Sequence, residues 1–317
     1  MDVIHLPFEL WTLIFEPLDI KLQIRSIQLC KTIKDKIFIT DLCNIDKKLK
    51  IKLNGNIIKK YPYIKKLDAS FNPKIEDPDL VGLNLVELNA SNNSKIKKIN
   101  HMTNLRILDA CFNSGIDDDS LVGLNLVELI AIGNTKIKKI NHMTNLRILY
   151  AYDSGIDDDS LVGLNLFELN AYNNPKIKKI NHMTNLKKLD ASWDCGIGDE
   201  NLIGLNLVEL NANGNTKIKK INHMTSLRIL NARWNGGIED ENLDGLNLFE
   251  LDASYNQKIK KINHMTNLRK LNAAGDCGIG NDDLIGLNLE ELNADNNAKI
   301  KKINHMKPAA CGNCEIK

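Results

Sequence analysis

From Ile64 onward one phrase, L-x-x-L-x-A-x-x-N, returns twelve times at intervals of 20 or 21 residues. It starts at Ile64, Leu85, Leu105, Leu126, Leu146, Leu166, Leu186, Leu207, Leu227, Leu248, Leu268 and Leu289. A copy this short cannot bury its own apolar side chains. Successive copies must stack and share one continuous core, with a strand at the Leu-x-x-Leu-x-Ala stretch and a return segment behind it. A fold of this kind grows by addition, so 317 residues do not imply two domains.

The period and the Leu/Leu/Asn spacing resemble the leucine-rich-repeat family. That resemblance implies an α/β solenoid of about twelve repeats, with a parallel β-sheet on the concave face and a binding role. The expected organisation is residues 1–40 as a helical segment, 41–63 as a transition or N-terminal cap, 64–305 as the solenoid and 306–317 as a tail. Within 41–63 the segment LKIKLNG alternates like a strand and reads as a cover for the first full repeat.

The repeats alternate between two kinds, so the duplicated unit is a pair of about 41 residues. Odd units keep Ile, Leu and Leu inward in the return segment (Ile116, Leu121, Leu124); even units keep Ile, Ile and Met (Ile137, Ile140, Met143). The ninth-position asparagines (Asn72, Asn93, Asn113, Asn134, Asn174, Asn215, Asn235, Asn256, Asn297) are expected to bond neighbouring backbone as a buried ladder. Repeat five lacks one residue after Tyr152, which disturbs that ladder.

Charge excludes some function classes. With 42 basic and 40 acidic residues the net charge is only +2, and basic runs such as Lys95, Lys97 and Lys98 alternate with acidic ones such as Asp117, Asp118 and Asp119. No continuous basic track exists for a nucleic-acid partner. The stripes are expected to face each other as exposed pairs that fix register. Glu at position three of even units is expected to sit near Lys or Arg at position two of odd units. The six regularly spaced histidines from His101 to His305 lie two turns apart, roughly 10 Å by strand spacing, too far to share a metal ion. Seven scattered cysteines fit a reducing, cytoplasmic compartment, and Cys195 and Cys277 stand too far apart for a disulfide. Cys311 and Cys314 form a single CxxC in the tail, without a second pair. No signal peptide or membrane span is evident. No catalytic constellation and no cofactor motif emerges either.

Ahead of the repeats, LPFELWTLIFEPLDIKLQIRSIQLCKTIKDKI resembles an F-box, through Leu6, Pro7, Glu9, Leu10, Ile14, Leu18, Ile27, Leu29, Cys30 and Lys31. It departs from that family at Ile33, where tryptophan is common. The resemblance implies docking on the adaptor of a cullin-RING ubiquitin ligase through Leu6, Pro7, Leu10, Ile14, Leu18, Ile27 and Cys30. The alternative is that these helices only cap the stack. The whole arrangement is similar to F-box/leucine-rich-repeat proteins encoded by giant amoeba viruses.

Strand geometry sends positions three, five and seven to the concave face. Column five is Asp or Asn in ten repeats and changes only at Ile130 and Tyr150. With Ile132, Ile148, Tyr152 and Tyr172 these form an apolar group in a polar column scheme, as expected of a target-binding patch or of drift in a duplicating array. A second candidate is the row of aromatics at position eight: Phe71, Phe112, Trp193, Trp234 and Tyr255, with Arg233 beside Trp234. Those rings either pack over the turn or bind. The resulting expectation is a non-catalytic substrate receptor of a ubiquitin ligase, with an unidentified target protein on Ile130, Ile132, Ile148, Tyr150, Tyr152, Tyr172, Trp193, Arg233 and Trp234. Its alternative is a stand-alone interaction scaffold.

Overall fold

The computed structural model describes residues 18, 21–23, 25, 39–43, 45 and 47–301. Two compact units divide the chain, Met1–Asn145 and Leu146–Lys317. In the first, β1 (Asp41–Leu42), β2 (Lys66–Asp68), β3 (Glu87–Asn89), β4 (Ile107–Asp109) and β5 (Glu128–Ile130) lie parallel in chain order. In the second the same arrangement runs through β6 (Ile148–Tyr150), β7 (Glu168–Asn170), β8 (Lys188–Asp190), β9 (Glu209–Asn211), β10 (Ile229–Asn231), β11 (Glu250–Asp252), β12 (Lys270–Asn272) and β13 (Glu291–Asn293). Register follows the repeat: position-four leucines pair with one another, as Leu88 does with Leu108 and Leu169 with Leu189. A slip by one residue would turn every leucine to solvent, so the apolar pattern fixes the pairing.

Each unit is a parallel-sheet solenoid whose core is the expected set. Leu105, Leu108, Ala110, Ile116 and Leu121 are fully buried, as are Leu126, Leu129, Ala131, Ile137, Ile140 and Met143. The return segments differ from the α/β expectation. In the odd repeats they carry three- or four-residue helical stretches, such as Asp119–Leu121, Asp159–Leu161 and Asp240–Asn242, and turns make up the rest. A 20-residue repeat leaves too few residues after its strand for a longer helix. The chain then turns sharply at glycines such as Gly123, whose φ of +79° is the left-handed conformation glycine tolerates best.

The transition segment also departs from expectation. Its alternating stretch forms helical turns at Lys47–Lys50 and Gly55–Ile58, and the strand that pairs with β2 is Asp41–Leu42. A strand would bring Leu49, Ile51 and Leu53 to one face, yet Ile51 is exposed and Leu53 buried. Local capping decides it: Asn54 accepts from the Ile57 N–H and starts the second turn. Of the residues expected to dock an adaptor, Leu6, Pro7, Leu10, Ile14, Ile27 and Cys30 lie outside the described residues. Leu18 is half-buried, and its carbonyl accepts from Gln23 Nε2.

The asparagine ladder is real but follows the pairing of repeats. Asn134 is fully buried; its Nδ2 donates to Ala110 O (2.8 Å) and Ile116 O (3.1 Å), and its Oδ1 accepts from the Lys136 N–H (3.0 Å). Asn93, Asn174, Asn215, Asn256 and Asn297 repeat this scheme in the other even units. In odd units the expectation fails at Asn113 and Asn235, which are exposed. In those units the spacing from the first Leu to the return Ile equals that of the even units, but the ninth residue is looped out and the tenth (Ser114, Cys195, Gly236, Cys277) takes the interior place; Asn72 of the first repeat stays buried at the ninth. The deletion in repeat five removes the looped-out residue, and Ser154 then fills the interior place, bonding Ala151 O.

Junctions therefore come in two kinds. From odd to even repeats, side chains bridge: the Asn bonds just described and the His142 ring on Leu121 O. From even to odd, backbones meet directly in the interior, while side-chain bonds such as Asn272 to Asp252 and Gln257 to Asp276 lie nearer the surface. Gly115 N donates to Asn93 O, and a Cβ on Gly115 would lie 2.2 Å from Ile96 O. Gly237 stands in the same relation to Asn215 and Ile218. Only glycine fits such an approach.

Candidate protein-binding face

The charge stripes bind backbone more than they bind each other. Asp118 Oδ1 accepts from the backbone N–H groups of Lys138 (2.6 Å) and Lys139 (2.8 Å), one repeat later. Asp77, Asp158, Asp199 and Asp240 hold the corresponding pairs in their own neighbours. These acids are thus turn caps, and the lysine side chains project past them. On the strand face, Glu of position three pairs with Lys of position three, not of position two as expected: Lys66–Glu87 at 3.1 Å, Lys188–Glu209 at 3.5 Å and Lys270–Glu291 at 2.8 Å. Parallel in-register strands put like positions side by side, which settles the choice. Position-two arginines instead fold back on their own backbone, as Arg228 does on Thr225 O and Leu227 O.

Column five has a structural task that its polarity alone did not disclose. In all ten repeats with Asp or Asn there, the side-chain oxygen accepts from the N–H two residues on, at 2.9–3.2 Å. This is an Asx turn closing the end of each strand. Adjacent members also bond across strands, as Asn211 does to Asp190 and Asn272 to Asp252. Ile130 and Tyr150 have no acceptor to offer at that point, so Ile132 and Tyr152 lose the cap that every other repeat keeps.

The expected patch falls in two units and is described in each. In the first, Ile130 and Ile132 are half-buried. In the second, Ile148, Tyr150, Tyr152 and Tyr172 are half-buried and arranged as a group. Tyr152 and Tyr172 meet edge to face with centroids 4.5 Å apart, and Tyr150 donates its hydroxyl proton to Glu168 Oε1 at 2.7 Å. Beside them a groove of about 170 Å³ is lined by Glu168, Asn170, Lys188, Asp190, Glu209 and Asn211, with Leu169 and Leu189 beneath. The surface thus joins aromatic groups to a groove with acidic walls. Glu168 was not singled out in the sequence, because every even repeat carries Glu there; only its contact with Tyr150 distinguishes it.

The position-eight row has a backbone signature. Phe71, Phe112, Trp193, Trp234 and Tyr255 all adopt the left-handed conformation, with φ between 54° and 58°. Asn92, Asn173 and Asn296 or Gly133, Gly214 and Gly275 serve the same turn elsewhere. An aromatic residue there costs about 1–2 kcal/mol relative to glycine. The packing reading of the row holds in part. Trp193 packs over Gly214, and Phe112 over Gly133, yet the five rings stay between 36% and 71% exposed. Arg233 lies against the stacked pair Trp234–Tyr255 (centroids 4.7 Å apart, planes at 16°), its Cζ 5.8 Å from each ring centre. Asn213, missed by sequence, joins this cluster: its Oδ1 and Arg233 Nε are buried without a hydrogen-bond partner. A signal existed, since in column seven Asn213 and Arg233 stand in succession between Ser192 and Ser254.

No family model matches the chain, and no curated protein does. Among solved structures it is similar to an internalin (inlF) from Listeria monocytogenes, with a TM-score of 0.54 and 20% identity over 94% of this chain and 93% of that one. It is also similar to TLR13 in the TLR13–ssRNA13 complex, with a TM-score of 0.55 and 19% identity over 86% of this chain and 46% of that one, so this chain spans less than half of TLR13's length there. The fold is that of leucine-rich-repeat proteins. Among the described residues no helix is long and apolar enough to cross a membrane.

Proposed function

We propose that this chain is a non-catalytic scaffold that captures a protein partner on its strand face, centred in the second unit on Tyr150, Tyr152 and Tyr172 with Ile148. One observation carries the reading. At Ile130 and Tyr150 the chain gives up an Asx cap that ten other repeats retain, and substitutes side chains that cannot close that turn. A side chain that costs a local bond and stays half-exposed is what a contact surface requires. Tyr150 suits the role: a rigid ring with a polar tip, held by Glu168.

A finer reading makes the scaffold the receptor subunit of a ubiquitin ligase, with Leu6, Pro7, Leu10, Ile14, Leu18, Ile27 and Cys30 on the adaptor. It is supported by the F-box-like residues and by their place directly before the repeats. The ligase would then act by bringing its target close to the transfer machinery.

Two experiments test these readings. Affinity capture with the full chain is compared with Tyr150→Asn, which restores the cap. The variant is expected to be more stable by about 0.5–1 kcal/mol and to lose its partners. Unchanged capture would overturn the patch. Pull-down against a purified ligase adaptor, with a Leu6→Ala/Pro7→Ala variant, tests the finer reading; no retention of the native chain would leave the scaffold without the ligase role.

A further inference from the structure

The second unit holds a cluster that the Tyr150 patch does not use. Trp193, Trp234 and Tyr255 keep left-handed backbone where Asn173, Gly214, Gly275 and Asn296 show that the array has unstrained alternatives. Their strain is not offset by full burial, since 47%, 43% and 36% of each residue stays exposed. A conformation of this sort, kept by aromatic residues in three of four neighbouring repeats, is a pointer to a functional surface.

Arg233 gives the surface its chemistry. Its guanidinium is held against two rings at once, which limits its freedom and removes part of its water. Among the described residues no carboxylate lies within ion-pair distance of it. Its Nε–H is shielded from water and donates to nothing, and the neighbouring Asn213 Oδ1 is shielded and accepts nothing. The cluster therefore has an unmet cationic donor and an unmet neutral acceptor side by side, flanked by apolar rings.

We propose that Trp193, Asn213, Arg233 and Trp234 form a docking site for an extended peptide segment of a protein partner, anchored by an Asp or Glu side chain beside an apolar residue. Turning by one rotamer, Arg233 presents Nε and a terminal nitrogen side-on to the carboxylate, the two-point geometry that guanidinium offers carboxylates. A backbone N–H of the same segment satisfies Asn213. The apolar neighbour lies on Trp193 and Trp234. Single-stranded nucleic acid fits less well. Tyr255 is already enclosed between Trp234 and Gly275, so a base has no slot between those rings, and the strand face nearby carries Glu209, Glu250 and Asp252. The inference rests on the scaffold reading above but not on the Tyr150 patch.

The test is an array of randomised eight-residue peptides probed with the full chain and with Arg233→Gln, Trp234→Asn and Tyr150→Asn. Asparagine is already accommodated at this turn, at Asn173 and Asn296, so Trp234→Asn keeps the fold; circular dichroism checks each variant. The expected result is enrichment of Asp or Glu next to an apolar residue, with binding lowered about tenfold or more by Arg233→Gln. Trp234→Asn lowers it as well, and Tyr150→Asn leaves it intact. The site is overturned if no peptide binds, if the bound set lacks acid enrichment, or if Arg233→Gln binds as the native chain does. An oligouridine that binds and is released by Arg233→Gln would overturn it too, assigning the cluster to phosphate. Loss in Tyr150→Asn alone would leave the scaffold reading standing and remove this site.

Discussion

Asp118 accepts the backbone N–H of Lys138 at 2.6 Å across a repeat boundary, so an acidic residue in one repeat closes a turn in the next. The same carboxylate oxygen takes the Lys139 N–H. This bond uses the acid's geometry more than its charge, because Asn281 serves the Lys301 N–H in the same way. Asp118→Asn is therefore expected to change stability by less than about 0.5 kcal/mol, whereas Asp118→Ala costs about 1–2 kcal/mol by leaving two turn donors to water. Urea titration of the two variants separates them. Equal losses would mean that charge, and not hydrogen bonding, is what Asp118 supplies.

The interior asparagines carry a heavier role than the ninth-position residues that are looped out. Asn134→Ala removes two donated bonds and one accepted bond in a fully buried place. It is expected to cost about 3 kcal/mol. Asn113→Ala, at an exposed place, should stay within about 0.5 kcal/mol of the native chain. Thermal melts of both variants are the check, and similar midpoints would contradict the alternation of interior places described above.

Cysteine provides a pH-dependent readout. Burial pushes the Cys195 thiol up from 9.0 to about 11, and Cys277 shifts in the same direction for the same cause. The fold holds the neutral thiol, so its contribution to stability is complete below pH 9 and is lost as pH rises through 9 toward 11. Native protein at pH 8 should resist iodoacetamide at Cys195 for hours and react within minutes once unfolded. Peptide mass spectrometry reads the difference. Rapid labelling of Cys195 in the folded chain would show that the repeat opens locally.

How far the sequence could be read depended on the kind of information in each column. Leu108, Ala110 and Ile116 repeat at fixed offsets and bury apolar surface, so periodicity alone places them. Column five was equally regular, yet its Asp and Asn were legible only as polar. Periodicity says which way a side chain points; it does not say that Asp190 Oδ1 meets the Ser192 N–H. The same limit hid the backbone partner of Asp118. Asn113 was misplaced because equal spacing does not say which of two neighbouring residues turns inward, and here Ser114 takes the interior place. The aromatic row was visible as a pattern, but its left-handed backbone at Trp193 and Trp234 and the unmet atoms of Arg233 and Asn213 exist only in three dimensions.

The two kinds of junction have a mechanical consequence. Within a pair a buried Asn joins the two repeats, whereas at Gly115 and Gly237 one pair meets its neighbour backbone to backbone, with no interior side chain between them. A single pair pulled out of its unit would lengthen by about 130 Å, the span of 41 extended residues less the two strand spacings it occupies when folded. The glycine seams set the grain of its evolution. A crossover that gains or loses a whole pair remakes every bond, whereas one that cuts through a pair strands an Asn or an Asp without its turn. The chain can be made longer or shorter, but only in pairs.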